Sequence, residues 1–124
     1  MSLTATTASA SAPQVLTRAT LRAAERLGLN HAQLARVLGV SPSTVTRLAQ
    51  GSYTIAPDSK TGELALLLIR LFRSLDSIVG NAADGATWMA TQNTALSGVP
   101  RDLIATAQGL VHATAYLDAY RARL

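Results

Sequence analysis

Four polar side chains that could read a nucleic acid lie close together in this chain of 124 residues: Ser41, Ser43, Thr44 and Arg47. The guanidinium group of Arg47 suits bidentate hydrogen bonding to guanine, whereas hydroxyl groups discriminate weakly among bases and more often contact phosphates. At helical spacing, Val45 and Leu48 point to the opposite side. The pattern predicts a short helix with a DNA-reading face and an apolar face.

The positive charge of the chain is concentrated in the same half. The formal net charge is +4. Residues 1–60 hold six Arg or Lys side chains and two acids, whereas residues 61–124 hold five of each. This asymmetry suggests an anionic partner for the first half and a different role for the second. A solvated basic face without such a partner is the alternative.

A helix-turn-helix is the element that would position these polar side chains. Two short helices that cross steeply need a small residue where they approach, a turn residue that tolerates positive φ, and buried aliphatic residues. Ala35, Gly39 and Val45 meet these needs at the right offsets, and we expect little room for a side chain at Gly39. The remaining core would comprise Leu34, Leu38, Val40 and Leu48. An αα-hairpin without affinity for DNA is the alternative.

The whole chain is predicted to be all-α, because alternation of period two is absent and Ala, Leu and Arg are abundant. Helices are expected over about 14–27, 31–38, 42–50, 61–79, 84–91, 100–108 and 109–122. The first would bury Val15, Leu16, Ala19, Ala23 and Leu27, and the last Leu110, Ala113, Leu117 and Leu124.

Three regions are expected along the chain. Residues 1–13 are rich in Ser, Thr and Ala and are predicted to be a disordered tail. Residues 14–56 would form the helix-turn-helix DNA-binding domain, and residues 61–124 a small helical domain. The Gly, Pro, Asp and Ser residues of 51–60 mark the connection between the two.

Enzymatic chemistry has little support in the sequence. The chain has no cysteine, which excludes thiolate metal sites and a cysteine nucleophile. Its second half contains no pair of acids at catalytic or metal-binding spacing and no glycine-rich phosphate loop. A lone His112 and a lone Trp88 are more typical of structural positions, with Trp88 as the anchor of a small core. We therefore expect no enzyme, no catalytic residue, no cofactor and no metal.

No segment is expected to cross a membrane. The longest strongly apolar stretch, Leu64 to Ile69, is far shorter than the about 20 residues that a membrane-spanning helix needs. The first thirteen residues also lack the features of a secretory signal. A cytoplasmic location is the expectation.

Residues 29–51 resemble the helix-turn-helix of the Xre and phage-repressor family. The resemblance implies that the second helix of the motif enters the major groove of DNA, with its N-terminal residues toward the bases. It also places His31 and Gln33, at the start of the preceding helix, near the DNA backbone. In this family a polar residue is common at the position of Pro42. A proline side chain forms no hydrogen bond, so fewer side chains of this helix can recognise bases.

The second half is similar to the toxin-binding domain of the Xre/MbcA/ParS antitoxins. The residues that carry this resemblance are Trp88, Asn93, Leu96, Pro100, Gly109 and Tyr116-Leu117. It implies a type II antitoxin that neutralises a RES-domain toxin, which consumes NAD, and that represses its own operon. The alternatives are a phage-type or partition-type repressor without a toxin, and an interaction module with a vestigial helix-turn-helix.

Aromatic and arginine side chains near the C-terminal end are the candidate toxin contacts. They are Tyr116, Tyr120, Arg121, Arg123 and Leu124. Such side chains often anchor interfaces. The alternative is that the tyrosines pack inside the domain and the arginines only complement the dipole at the C-terminal end of the helix. A homodimer is expected as well, because helix-turn-helix proteins usually bind two half-sites and the apolar stripe of 61–79 is long enough to extend beyond what one subunit covers.

Overall fold

The computed structural model describes residues 10–124, which form seven helices and no strand. The helices are α1 (Ala12–Arg26), α2 (His31–Leu38), α3 (Pro42–Gln50), α4 (Lys60–Val79), α5 (Ala82–Ala90), α6 (Pro100–Leu103) and α7 (Ala107–Ala122). The predicted all-α class is confirmed for this part of the chain. None of these helices is long and apolar enough to span a membrane.

The helix α4 lies at the centre of the fold, with α1, α2, α5 and α7 packed around it. Its inward face is fully buried and comprises Ala65, Leu68, Leu71 and Leu75. Gly62 allows the first turn of α4 to approach the preceding loop, because a Cβ atom there would collide with the backbone carbonyl oxygens of Ala56 and Pro57. One continuous hydrophobic cluster extends from Leu16 in α1 to Leu117 in α7, so both halves of the chain share a core.

The helix α1 begins earlier than the sequence suggested. Ser11 is its N-cap: the Gln14 backbone N–H donates to Ser11 Oγ at 3.3 Å, and the Ser11 backbone N–H donates to Gln14 Oε1 at 3.0 Å. This capping box starts the helix two residues before the expected position. The prediction of a disordered tail is therefore wrong for Ser11, Ala12 and Pro13, and its residues 1–9 lie outside the described part.

The buried face of α1 also differs from the prediction. Val15 is 54% exposed, whereas Thr17 and Thr20 are buried. Each threonine hydroxyl donates a hydrogen bond of 2.7 Å to the carbonyl oxygen four residues earlier, so its polar atom is satisfied within the helix. The positions of apolar residues alone do not predict this buried face, because threonine is then counted as polar.

The short helix α6 has only four residues, and the expected helix over 100–108 is wrong. Thr106 begins a new helix instead, since its Oγ1 accepts a hydrogen bond of 3.0 Å from the Gly109 backbone N–H. Gly109 lies in the first turn of α7, where a Cβ atom would collide with the Leu103 carbonyl oxygen. This glycine serves a close contact rather than a helix end.

Two of the predicted core positions are also corrected. Trp88 is only partly buried, and its neighbour Met89 is the fully buried residue of α5. Leu124 lies beyond the end of α7 and is 78% exposed. The other predicted core residues of the last helix, Leu110, Ala113 and Leu117, are buried as expected.

Candidate functional site

The helices α2 and α3 form the predicted helix-turn-helix. Its buried residues are Leu34, Ala35, Leu38, Val45 and Leu48, and Val40 is partly buried against them. A capping box starts α2: Gln33 N–H donates to Asn30 Oδ1 and Asn30 N–H donates to Gln33 Oε1, both at 2.8 Å. The helix α3 packs chiefly on α2, which in turn packs on α4.

Gly39 ends α2 with a positive φ of 69°, as the turn requires. Apart from Gly39 itself and its two chain neighbours, no residue has an atom within 4 Å of the position that a Cβ atom would take here. The expectation of little room at Gly39 is therefore wrong. The glycine is required by its backbone conformation, while Ala35 and Val45, the other two residues of the predicted pattern, are buried.

The outward face of α3 carries a connected set of polar groups. Ser41 Oγ accepts from the Thr44 backbone N–H at 3.2 Å and lies 3.0 Å from Thr44 Oγ1. Thr44 Oγ1 in turn accepts a hydrogen bond of 3.2 Å from Arg47 Nη2. The Arg47 side chain is thus directed toward the N-terminal end of α3, while its other guanidinium donors remain available. Ser43 is exposed beside this set.

The two candidates from α2 differ in their surroundings. His31 is exposed, whereas Gln33 is partly buried and its Oε1 atom is occupied by the capping box. Only the amide NH₂ group of Gln33 remains to donate to a phosphate. Gln33 therefore has a structural role that the pattern of Asn followed three residues later by Gln could have revealed.

One exposed amide on the same face of α3 is not among the predicted contacts. Gln50 lies one further helical turn along from Arg47, seven residues after Ser43, and is exposed. Thr46 is also exposed, but its hydroxyl donates to the Pro42 carbonyl oxygen at 3.2 Å. Counting positions opposite Val45 at helical spacing would have identified Gln50 as a further candidate contact.

Two of the candidate toxin contacts lie together beside Trp88. The ring centroids of Tyr116 and Tyr120 are 6.4 Å apart, with an angle of 40° between the ring planes. With Trp88, Ile78 and Val79 they line a cavity of about 230 Å³ at one end of α4. Tyr120 is 44% exposed, so a side chain from a partner could reach this aromatic cavity.

The other three candidates do not join the aromatic cavity. Arg121 lines a separate groove on another side of α7, together with Arg70 and Arg73 of α4. Arg123 is the C-cap of α7, and Leu124 follows it in an exposed position. The five predicted residues therefore form two surfaces and an exposed end rather than one site.

Asp118 fixes the last turns of α7 against α4. Its Oδ1 accepts a hydrogen bond of 2.5 Å from Ser74 Oγ, and its Oδ2 lies 2.6 Å from Arg70 Nη2. Ser74 is buried and Asp118 is partly buried, so this contact is shielded from water on one side. It orients the helical turn that carries Tyr120 and Arg121.

A metal centre is absent from the described part of the chain. No three His, Asp or Glu side chains of residues 10–124 lie close enough together to hold an ion. His112, the histidine of the second half, is exposed on α7.

Comparison with known proteins supports the assignment of both halves. The family model of the antitoxin Xre-like helix-turn-helix domain matches residues 8–70. The family model of the antitoxin Xre/MbcA/ParS C-terminal toxin-binding domain matches residues 74–123. No curated protein shows significant similarity to the chain.

A similar fold occurs in a solved structure. The chain matches one chain in the crystal structure of the M. tuberculosis MbcT-MbcA toxin-antitoxin complex with a TM-score of 0.66 and 23% sequence identity. The alignment covers 89% of this chain and 96% of that chain. The likeness concerns the fold, and the two family matches show the antitoxin family. The chain belongs to the family of Xre-like antitoxins, in which a helix-turn-helix domain is followed by an Xre/MbcA/ParS toxin-binding domain.

Proposed function

We propose that this antitoxin binds and neutralises a RES-type toxin that consumes NAD, and that it represses its own operon as a homodimer. The NAD-consuming class follows from the resemblance of the second half to the Xre/MbcA/ParS domain. The observation that carries the proposed site of toxin binding is the aromatic cavity of Trp88, Tyr116 and Tyr120.

The aromatic cavity supports toxin binding because of its chemistry. Partly exposed aromatic side chains bury a large area at low cost in conformational entropy, and they are enriched among the residues that contribute most to interfaces. A cavity of about 230 Å³ has room for one apolar side chain of a partner. Arg123 and Leu124 extend from the same helix and would add contacts beyond the cavity.

The outward face of α3 supports binding to operator DNA. Arg47 already makes a hydrogen bond along the helix to Thr44, so fewer of its rotamers need to be excluded when it binds a base. Exposed hydroxyl groups beside it can contact phosphates. The concentration of positive charge in residues 1–60 would strengthen the attraction to DNA at low salt.

Co-expression with the adjacent toxin gene tests the toxin proposal. Cells that express the toxin alone should stop growing and lose NAD, and the intact antitoxin should restore both. Tyr120→Ala should weaken this rescue because it removes half of the tyrosine pair. Arg47→Ala is the matched control, since it alters the α3 face and should neutralise the toxin as well as the intact protein does.

The outcomes separate the parts of the proposal. Growth arrest with a constant NAD level would contradict the RES-type assignment while leaving the antitoxin role intact. Full rescue by Tyr120→Ala would exclude this residue from the toxin contact. Failure of the purified protein to bind DNA from its own promoter, with and without the toxin, would contradict autorepression.

A further inference from the structure

One exposed side of α4 carries four side chains in a regular pattern. Glu63, Leu66, Arg70 and Arg73 follow one another at intervals of three, four and three residues, which places them on one helical face. All four are exposed, and Leu66 is exposed by 53%. We refer to these four residues as the α4 stripe.

The charges at the two ends of the α4 stripe lack a partner within the described chain. Among residues 10–124 the one salt bridge joins Arg70 to Asp118. Glu63 and Arg73 therefore present opposite charges to solvent, about 15 Å apart along the helix. The guanidinium group of Arg70 is directed to Asp118, which leaves its aliphatic stem on the surface of the stripe.

Apolar surface adjoins the middle of the α4 stripe. Leu66 and Ile69 of α4 line a groove of about 600 Å³ together with Ala12, Val15 and Ala19 of α1. Val15 is 54% exposed and Leu66 53%. Exposed aliphatic residues that adjoin in this way, with charged residues at the edge, are typical of a surface that another protein covers.

The intervals between residues of the α4 stripe are three, four and three, so their order is the same from either end of the stripe. An antiparallel second copy of α4, related by a twofold axis near residue 68, therefore brings Glu63 of each copy opposite Arg73 of the other. The same operation places Leu66 opposite the aliphatic stem of Arg70. Because a twofold interface forms each contact twice, two ion pairs would enclose an apolar centre.

We propose that the α4 stripe is the surface through which two copies of this chain associate. The proposal rests on the homodimer of the proposed function and assigns it to these residues. The stripe carries its own counter-charge, which favours a second copy over other occupants. A nucleic acid or an acidic protein segment would be attracted by Arg73 and by Arg121, which lines the adjoining groove, but it would be repelled by Glu63.

Charge reversal tests the proposed contact between Glu63 and Arg73. Glu63→Arg and Arg73→Glu each replace two attractions by two repulsions in the dimer, and each should raise the dimer dissociation constant at least about tenfold. The double variant Glu63→Arg/Arg73→Glu restores opposite charges and should return the dissociation constant to within about threefold of the original value. Sedimentation velocity at moderate salt measures the dimer dissociation constant of the original protein and of the three variants.

A second pair of variants tests the apolar centre of the stripe. Leu66→Asp should give a folded monomer, because it places two carboxylates in the centre of the interface. Val111→Asp is the matched control: Val111 is 51% exposed on α7, outside the proposed interface, and its replacement should leave the dimer intact. Circular dichroism confirms that each variant keeps its helical content.

Three outcomes would overturn the proposal. If the unmodified protein is monomeric, both the α4 contact and the homodimer are wrong. If the protein is a dimer but the single charge reversals and Leu66→Asp leave it unchanged, the homodimer stands and uses another surface. If the double variant fails to recover, Glu63 and Arg73 do not meet. In Glu63→Arg, a loss of dimer affinity that arose from the dipole of α4 would not be repaired by Arg73→Glu, because Arg73 lies ten residues from Glu63. Recovery in the double variant therefore indicates that the two side chains meet.

Discussion

Arg47 is the residue whose role in DNA binding can be tested most directly. Its side chain is exposed and, within residues 10–124, hydrogen-bonded only to Thr44, so Arg47→Ala removes a candidate base contact without leaving a buried group unpaired. We expect the affinity for operator DNA to fall by about 1 to 3 kcal/mol if Arg47 reads a guanine. Gel-shift titration at fixed salt measures the change.

Arg123→Ala is the control for this measurement. It removes the same charge from the end of α7, which packs chiefly on α4, and should change DNA affinity much less. Equal affinities of the Arg47→Ala variant and the original protein would remove Arg47 from the DNA contact and leave Gln50 as the first alternative on the same face.

Substitutions at Gly39 can distinguish backbone strain from steric crowding as the cause of a lower free energy of unfolding. Because the position of a Cβ atom is open, the cost of a substitution arises from the φ of 69° alone. Gly39→Val should lower the free energy of unfolding by more than about 1 kcal/mol, since a β-branched residue is strained in this conformation. Gly39→Asn should lower it less, because asparagine tolerates the left-handed region.

Thermal and denaturant unfolding of the two Gly39 variants provide the test. Similar losses for valine and asparagine would indicate that the side chain meets an obstacle, contrary to the open space around Gly39. An unchanged stability of Gly39→Val would show that the turn can adopt another conformation.

At the level of elements, the sequence predicts those helices whose limits are set by local side chains. Asn30, Ser41, Gly39 and Gly51 are caps that can be recognised from residue type, and α2 and α3 are found where they were predicted. The same rule identifies the true start of α1, because Ser11 and Gln14 form a capping box, although Ser11 belongs to the predicted tail.

Other features of the fold depend on contacts between residues distant in sequence or on the close approach of two backbone segments. Gly109 resembles a helix terminator in sequence, yet it lies inside α7. A glycine is needed there because the Leu103 carbonyl oxygen leaves no space for a Cβ atom. The position of Trp88 beside Tyr116 and Tyr120 depends on how α5 and α7 pack at the end of α4. Neither helical periodicity nor residue type contains this information.

The motif residues of the second half that carry the family resemblance have structural roles at its turns. Asn93 Oδ1 accepts from the Leu96 backbone N–H at 3.0 Å, and the backbones of Asn93 and Gly98 pair across the same turn. Pro100 is buried at the first position of α6. The family pattern thus identifies the fold of this half better than it identifies the residues that touch the toxin.

The last turn of α7 can be removed to test the toxin contact separately. Deletion of residues 119–124 eliminates Tyr120, Arg121, Arg123 and Leu124, but it retains the buried Leu117 and the contact of Asp118 with Ser74. We expect the truncated protein to remain folded and to bind DNA, while its affinity for the toxin falls by several kcal/mol. Co-expression with the toxin, scored by growth and NAD level, measures the loss.

Two observations would contradict this prediction. Normal growth of cells with the truncated antitoxin would assign inhibition to another surface of residues 63–118. Loss of helical content on truncation would mean that the deleted turn stabilises the fold, and Tyr120→Ala would then replace the deletion as the test of toxin binding.

At the scale of the whole molecule, the two functional halves are parts of one folded unit. The family matches end at residue 70 and resume at residue 74, both within the single helix α4. The hydrophobic cluster continues across this point, from Leu38 of α2 through Leu71 to Leu117 of α7. A fragment that ends before α4 would leave the inner faces of α1 and α2 exposed to water.

This shared core predicts that damage in the helix-turn-helix destabilises the distant half as well. Trp88 is the one tryptophan of the sequence, so its fluorescence reports on the toxin-binding half. Leu38→Ala removes a side chain that is 1% exposed in α2 and should lower the free energy of unfolding by about 2 to 5 kcal/mol. The transition reported by Trp88 and the loss of helical circular dichroism should shift together to lower denaturant concentration. Val111→Ala, at an exposed position, should leave both unchanged. A Trp88 transition that stays in place while the helical signal separates into two steps would show that the halves unfold independently, and that α4 joins them without coupling them.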